Sequence, residues 1–215
     1  MKDREFLENC LTKDRLVRLR TVLDNRVANV TVILENLHKD YNMSAVLRTC
    51  ESFGIQEIHV IPQPGEGRVF RSVTQGCHRW LTIHRHEDVP TCFASLRKRG
   101  FRIMSGALRD GAPPLSQVDF TGRVALMFSN ELEGAGDEVL RQVDGFFIIP
   151  MAGFSQSLNV SVAAGIVIHH VLWSKNELGD LERIPREEAE AILGLWVKKS
   201  VRNADLLVKE LKCRK

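Results

Sequence analysis

The chain has 215 residues, 44% of them hydrophobic and 27% charged, enough for one sizeable core with a small appendage. No apolar run approaches the roughly 18 residues of a bilayer span, and the opening MKDREFLENC puts charges where a secretory signal is apolar, so membrane and exported classes are set aside and a cytoplasmic protein is expected. The net charge of +3 does not by itself indicate a nucleic-acid partner, and the scattered cysteines Cys10, Cys50, Cys77, Cys92 and Cys213 form no C-x-x-C pair and read as reduced thiols.

In chain order, Arg4 to Arg26 reads as one helix with Leu16, Leu19 and Leu23 on a stripe, and the segment also carries Lys13, Arg15, Arg18, Arg20 and Arg26. Short apolar strands then alternate with amphipathic helices, the pattern of an α/β domain with a mostly parallel, six-stranded sheet. The strands are expected at Val30 to Leu34, Glu57 to Ile61, Trp80 to His84, Phe101 to Leu108, Val124 to Phe128 and Phe146 to Ile149. Helices are expected to start near Asn42, Val89 and Asp137, with a long one from Leu158 to Lys175; Gly54 and Gly100 are placed to stop two of the helices. Pro185 opens a last helix, Arg186 to about Lys212, whose Ile192, Leu195, Trp196 and Leu206 suit packing on the core or on a second subunit. The organisation is thus a basic helical extension over 1–27, a core domain over 28–180 and a basic C-terminal helix over 181–215. Each basic end suits either phosphate contacts or a plain solvated helix face.

Two segments carry more than architecture. In Ile148 to Gly165, IIPMAGFSQSLNVSVAAG, a strand runs through a polar loop into a helix of very small residues. Such a loop presents backbone N–H and C=O groups to a flat ligand; Ser157 or Asn159 can cap the helix, and Ala163, Ala164 and Gly165 permit close packing. In Glu35 to Gly54, ENLHKDYNMSAVLRTCESFG, a strand leads into a helix for which Asn42 is a good N-cap, and Arg48, six residues on, projects from its second turn. An ordinary strand, turn and solvated arginine fit the same letters.

Together with ALMFSNELEG, Ala125 to Gly134, these segments resemble the three motifs of the SpoU-type RNA 2'-O-ribose methyltransferases, a branch of the SPOUT superfamily. The pattern is N-x5-R early, an acidic residue after a central strand, and S-L-N-V-S-V-A-A late, covering about Arg15 to Trp173. TQGCHRW, Thr74 to Trp80, together with ENLHKDYN and QSLNVSVAA, is most similar to the branch that modifies guanosine in tRNA. Two positions depart from the family's usual G-x-E: Ser129 replaces the glycine and Leu132 follows Glu131.

The resemblance implies a SPOUT α/β knot, with a trefoil knot over roughly Val124 to Trp173, a homodimer, and S-adenosylmethionine as cofactor. It assigns Asn42, Arg48, Glu131, Ser157 and Asn159 to the catalytic neighbourhood. Gly106, Leu108, Ser129, Ile149, Met151 and Leu158 would hold the cofactor. No metal is required by an in-line methyl displacement. The implied reaction is ribose 2'-O-methylation, at guanosine 18 of the tRNA D-loop in the family's usual substrate; rRNA, another tRNA site or a non-catalytic RNA-binding role are the alternatives. The G-A-G at Gly134 to Gly136 lacks the third glycine of a dinucleotide fingerprint. His38, His78, His84, His86, His169 and His170 read as satisfied or surface side chains, with only His84 and His86 sharing a strand face and none beside a carboxylate cluster. Trp80 and Phe70 can stack on bases, with a core role favoured for Trp80.

Overall fold

The runs VTVILE and VALMF are rich in branched and bulky apolar residues, which favour extended backbone and bury on both faces of a parallel sheet. The computed structural model describes residues 2–37, 39–62, 76–106, 111–130 and 135–213. Its strands are β1 (Val30–Glu35), β2 (Glu57–Ile61), β3 (Thr82–Arg85), β4 (Arg102–Gly106), β5 (Val124–Phe128) and β6 (Gly145–Phe147). They form one all-parallel sheet in the order β3-β2-β1-β5-β4-β6, with Val32 level with both Ile58 and Leu126. The helices are α1 (Lys2–Asn9), α2 (Lys13–Asp24), α3 (Asp40–Ser52), α4 (Val89–Lys98), α5 (Asp137–Leu140), α6 (Val160–Glu177), α7 (Arg186–Ser200) and α8 (Ala204–Cys213). No helix among the described residues is long and apolar enough to cross a membrane.

Val27–Glu182 forms one compact unit. Alternation along β1 sends Val32 and Leu34 to one face and Ile33 to the other. The first face packs on Val46 and Leu47 of α3 and Ala164, Val167 and Ile168 of α6. The second packs on Cys92, Phe93 and Leu96 of α4. Burial pushes the Cys92 thiol up to about 12.

The chain before Val27 and after Glu182 forms a second compact unit, in which α1 and α2 both pack on α7 around Leu7, Leu19, Leu23, Leu193 and Trp196. Each expected terminal helix is in fact two. The N-terminal one breaks at Cys10 to Thr12 because Thr12 caps a new start, its side chain accepting from the Arg15 N–H at 3.2 Å. The C-terminal one breaks before Ala204, where Asn203 adopts φ +56°, a left-handed conformation that asparagine tolerates. Arg26 is not available for phosphate: it is 0% exposed, with its guanidinium 5.3 Å from the Trp196 ring centre. Lys198 pairs with Asp205 at 2.6 Å and Lys212 with Asp3 at 2.8 Å, whereas Lys13, Arg18, Arg202 and Lys209 are exposed.

In the sheet unit, both expected glycine stops hold: Gly54 and Gly100 follow α3 and α4 with φ +83° and +79°, where a side chain would be strained. Other ends move. The third strand starts at Thr82 because Cys77–Trp80 winds into a 3₁₀ turn, which leaves Trp80 half-buried with Arg79 5.9 Å from its ring. The sixth strand starts at Gly145 and ends at Phe147, after which Ile148 makes an isolated bridge to Pro114. Phe70, His38, and the Leu108 end of the fourth strand lie outside the described residues. The histidine reading is also corrected. Parallel register sets His59 of β2 beside His84, and Glu57 lies 3.5 Å from His84, so a third histidine and a carboxylate join the pair.

Lys175, near the end of α6, is 1% exposed and donates to the Phe120 carbonyl at 3.0 Å, to the Gly122 carbonyl at 2.6 Å and to Asp180. It ties the loop before β5 to the end of the helix. Replacing it with Met removes three hydrogen bonds and leaves the Asp180 carboxylate with only the Gly122 N–H at 3.0 Å on that oxygen, so Lys175→Met is expected to lose about 3 kcal/mol of stability, read as a lower urea midpoint at unchanged slope.

Candidate active site at the carboxyl edge of the sheet

Strands β1, β2 and β3 step outward on one side while β5, β4 and β6 lie on the other, so the order reverses between β1 and β5. Open α/β sheets leave a crevice there, beyond the carboxyl ends of the strands. The chain turns sharply out of β1 at Asn36, whose φ is +52°, and enters α3 after Lys39. Ser129 and Asn130 follow β5, Gly106 closes β4 beside Phe147, and Ile149 follows β6. The early, middle and late segments therefore meet at one edge.

The join between them is a hydrogen bond: Asn159 Nδ2 donates to Asn42 Oδ1 at 3.0 Å. Asn42 is thus not the N-cap of α3, where Lys39 stands without a side-chain bond; it is the third helical residue, 1% exposed, and its amide faces the start of α6. Asn159 is the N-cap of α6, and its Oδ1 accepts from the Ser161 N–H at 2.9 Å and the Ser161 Oγ at 2.6 Å. With Oδ1 doubly engaged and one N–H given to Asn42, Asn159 retains one N–H among the described contacts for a bound molecule. Ser157 is exposed and is not the cap.

Ser161 is the residue that motif reading passed over. A serine two positions inside a cap competes for the same oxygen, and that spacing was the available signal.

Arg48 lies on the exposed side of α3, while Asn42, Met43, Val46 and Leu47 take the buried side. Six residues turn a helix by about 600° and rise about 9 Å, so Arg48 and Asn42 leave α3 in different directions. Glu131, Leu132 and Leu108 lie outside the described residues.

The remaining residues suit a ligand with a polar head and an apolar body. Ser129 Oγ is buried with no hydrogen-bond partner among the described residues, a group that needs a bound partner. A Cβ on Gly106 would stand 3.3 Å from the Phe147 ring, so only glycine leaves this strand end uncrowded. Met151 and Leu158 expose apolar surface in the loop leading to Asn159, as does Phe154 between them, while Ile149 is half-buried. These features fit S-adenosylmethionine, with its polar amino-acid end and flat adenine.

Residues 29–169 match the SpoU rRNA Methylase family. The chain belongs to this family. Over 190 residues it is 37% identical to the tRNA (guanosine(18)-2'-O)-methyltransferase of Thermus thermophilus, covering 87% of this chain and 98% of that protein. The crystal structure of the A. aeolicus TrmH/SpoU tRNA modifying enzyme superposes with a TM-score of 0.80 at 31% identity, covering 89% of this chain and 98% of that one. The SpoU methyltransferase AviRb from Streptomyces viridochromogenes, crystallised in complex with AdoMet, shares the fold with a TM-score of 0.61 at 20% identity over 73% of this chain and 61% of that one. The SpoU family match therefore covers nearly the whole sheet unit, whose sheet is all-parallel where the strand and helix pattern predicted a mostly parallel one.

If the Asn42–Asn159 bond organises the start of α6, the two side chains are energetically coupled. Asn159→Ala should cost about 1 kcal/mol through the lost cap, and the double-mutant cycle with Asn42→Ala should give a coupling of about 1 kcal/mol by chemical denaturation.

Proposed function

We propose that this protein transfers a methyl group from S-adenosylmethionine to a ribose 2'-hydroxyl of tRNA, at guanosine 18. The observation that carries the reading is the 3.0 Å bond between Asn42 and Asn159, which unites the early and late motifs at the sheet edge where Ser129 follows β5. The high-coverage likeness to enzymes named for guanosine 18 supports the position.

When bound, S-adenosylmethionine supplies a methyl carbon activated by a sulfonium, open to in-line attack. Gly106, Ser129, Ile149, Met151 and Leu158 are assigned to hold it, together with Leu108, which lies outside the described residues. Ser129 contributes its hydroxyl to a polar end, and Met151 and Leu158 supply apolar walls. Asn159, oriented by Ser161 and Asn42, uses its remaining N–H to position the ribose or the neighbouring backbone, and Ser157 flanks the same loop. Glu131, outside the described residues, is assigned to the catalytic neighbourhood by the motif alone.

Arg48 is assigned to the substrate phosphate. Its guanidinium acts as a fixed fork that grips phosphate bidentately and eases ionisation of the adjacent hydroxyl, whose proton leaves late to the phosphate. We place the trefoil knot of the SPOUT fold at Val124 to Trp173, in keeping with β6 returning beside β4 after β5 has formed.

We further assign a homodimer. Val162, Ile166 and Trp173 form an exposed apolar stripe along α6, at helical spacing, and Ala163 and Gly165 allow a second copy close approach. The exposed Arg48 and the exposed basic residues Lys13, Arg18, Arg202 and Lys209 suit an RNA backbone.

Incubation with labelled S-adenosylmethionine and unmodified tRNA should place the label on the ribose of guanosine 18. Label on another nucleotide, or none, would overturn the assignment. Arg48→Ala should lower kcat/KM on the order of 10²-fold, and Arg48→Lys should recover only part of it; full turnover by the lysine variant with unchanged RNA affinity would refute the phosphate clamp. Val162→Asp combined with Ile166→Asp should shift the protein to a monomer in sedimentation velocity, and an unchanged dimer would place the interface elsewhere.

A further inference from the structure

On the β3 side of the sheet, away from the reversal between β1 and β5, a second group of side chains converges. Glu57 and His59 are two residues apart on β2 and so share a face. Parallel register sets His84 of β3 level with His59, and the two rings stack with centroids 4.8 Å apart. One donor atom from each of Glu57, His59 and His84 lies within 4.8 Å of the other two.

The polar atoms of this group are left wanting. His59 is 2% exposed, and its Nε2 is buried with no hydrogen-bond partner among the described residues; the Nε2 of His84 is buried and partnerless in the same way. The approach of His84 Nε2 to Glu57 Oε1, at 3.5 Å, is too long for an N–H···O hydrogen bond. It is close to the spacing of two donors on one tetrahedral ion, about 3.3 Å for bonds of about 2.0–2.1 Å.

The outer contacts are already in place. His59 Nδ1 lies 2.8 Å from His86 Nε2, and donation from Nδ1 leaves a lone pair on the buried Nε2. The other oxygen of Glu57 accepts from Arg99 Nη2 at 2.6 Å. Metal-binding histidines and carboxylates are oriented by such contacts through their far atoms.

We propose that Glu57, His59 and His84 form a zinc site that clamps β3 to β2. Two imidazole nitrogens and one carboxylate oxygen are a donor set suited to zinc, with a water completing the tetrahedron. The half-exposed His84 side chain provides the path from solvent. His86 supports from outside the coordination shell. A rival set of His59, His86 and Cys92 also lies within 4.8 Å, but the 2.8 Å His59–His86 bond is shorter than two nitrogens on one tetrahedral ion allow. The site is separate from the methyl-transfer residues, and its occupancy does not depend on the reading of them.

The test is zinc titration of the chelator-stripped, full-length protein in competition with a chromophoric chelator, with cobalt absorption as a second readout of tetrahedral geometry. One equivalent per chain is expected, with a rise in melting temperature. Glu57→Gln and His84→Ala should each weaken binding by at least about 10-fold and His86→Asn by about 10-fold, while His170→Ala, on α6, leaves it unchanged. Circular dichroism of the zinc-free variants reports folding; should His84→Ala fail to fold, Glu57→Gln decides. Absence of zinc binding, full affinity in Glu57→Gln, or loss of binding in Cys92→Ala with Glu57→Gln intact would overturn the proposal.

Discussion

The hydrogen bond from Asn159 Nδ2 to Asn42 Oδ1 joins residues 117 positions apart, and it is possible only because β1 and β5 are neighbours in a parallel sheet. Parallel pairing sends every strand's carboxyl end to the same edge. The helix after β1 and the helix after β6 then start side by side, and their apolar faces pack through Met43, Val46 and Leu47 against Val160, Ala164 and Val167. Remove that packing and the two asparagines have no reason to meet. The site is therefore a consequence of the core rather than an addition to it.

The buried polar groups differ in how fully they are engaged. Lys175 is buried but fully committed to two carbonyls and Asp180, so it stabilises and offers nothing to a ligand. Arg26 is buried beneath Trp196 in the other compact unit and is likewise spent on packing. Ser129 Oγ and the Nε2 atoms of His59 and His84 are buried without a hydrogen-bond partner among the described residues, as is the Nε of Arg26. A buried polar atom without a partner is costly unless something binds there, and the proposed cofactor and the proposed zinc ion would each supply such a partner.

Sequence departures from the family pattern gain physical content in the fold. Ser129 stands where glycine is usual, and its buried hydroxyl, just past the end of β5, has no hydrogen-bond partner among the described residues. In the proposed cofactor site the serine would add a polar contact where glycine would leave room. Ser161, unremarked in the motif, holds the Asn159 oxygen from two sides and leaves its amide nitrogen to face Asn42 and the site.

What the sequence determined by itself was local. Apolar periodicity located the six strands and most helices to within a few residues, glycines set the ends of α3 and α4, and three short motifs named the family. What it could not determine depended on contacts between distant segments. Asn42 looked like a helix cap because Asn is a good cap in isolation; burial against α6 gave it another role. The terminal helices looked continuous because helical periodicity survives a short break, and only Thr12 and the left-handed Asn203 show where the chain turns. His59 fell outside the histidine pattern because its partners, His84 and Glu57, become its neighbours through strand register. Periodicity is written in residues a few positions apart, whereas hydrogen bonds between strands and helices are fixed by how the sheet assembles, and that is decided only in three dimensions.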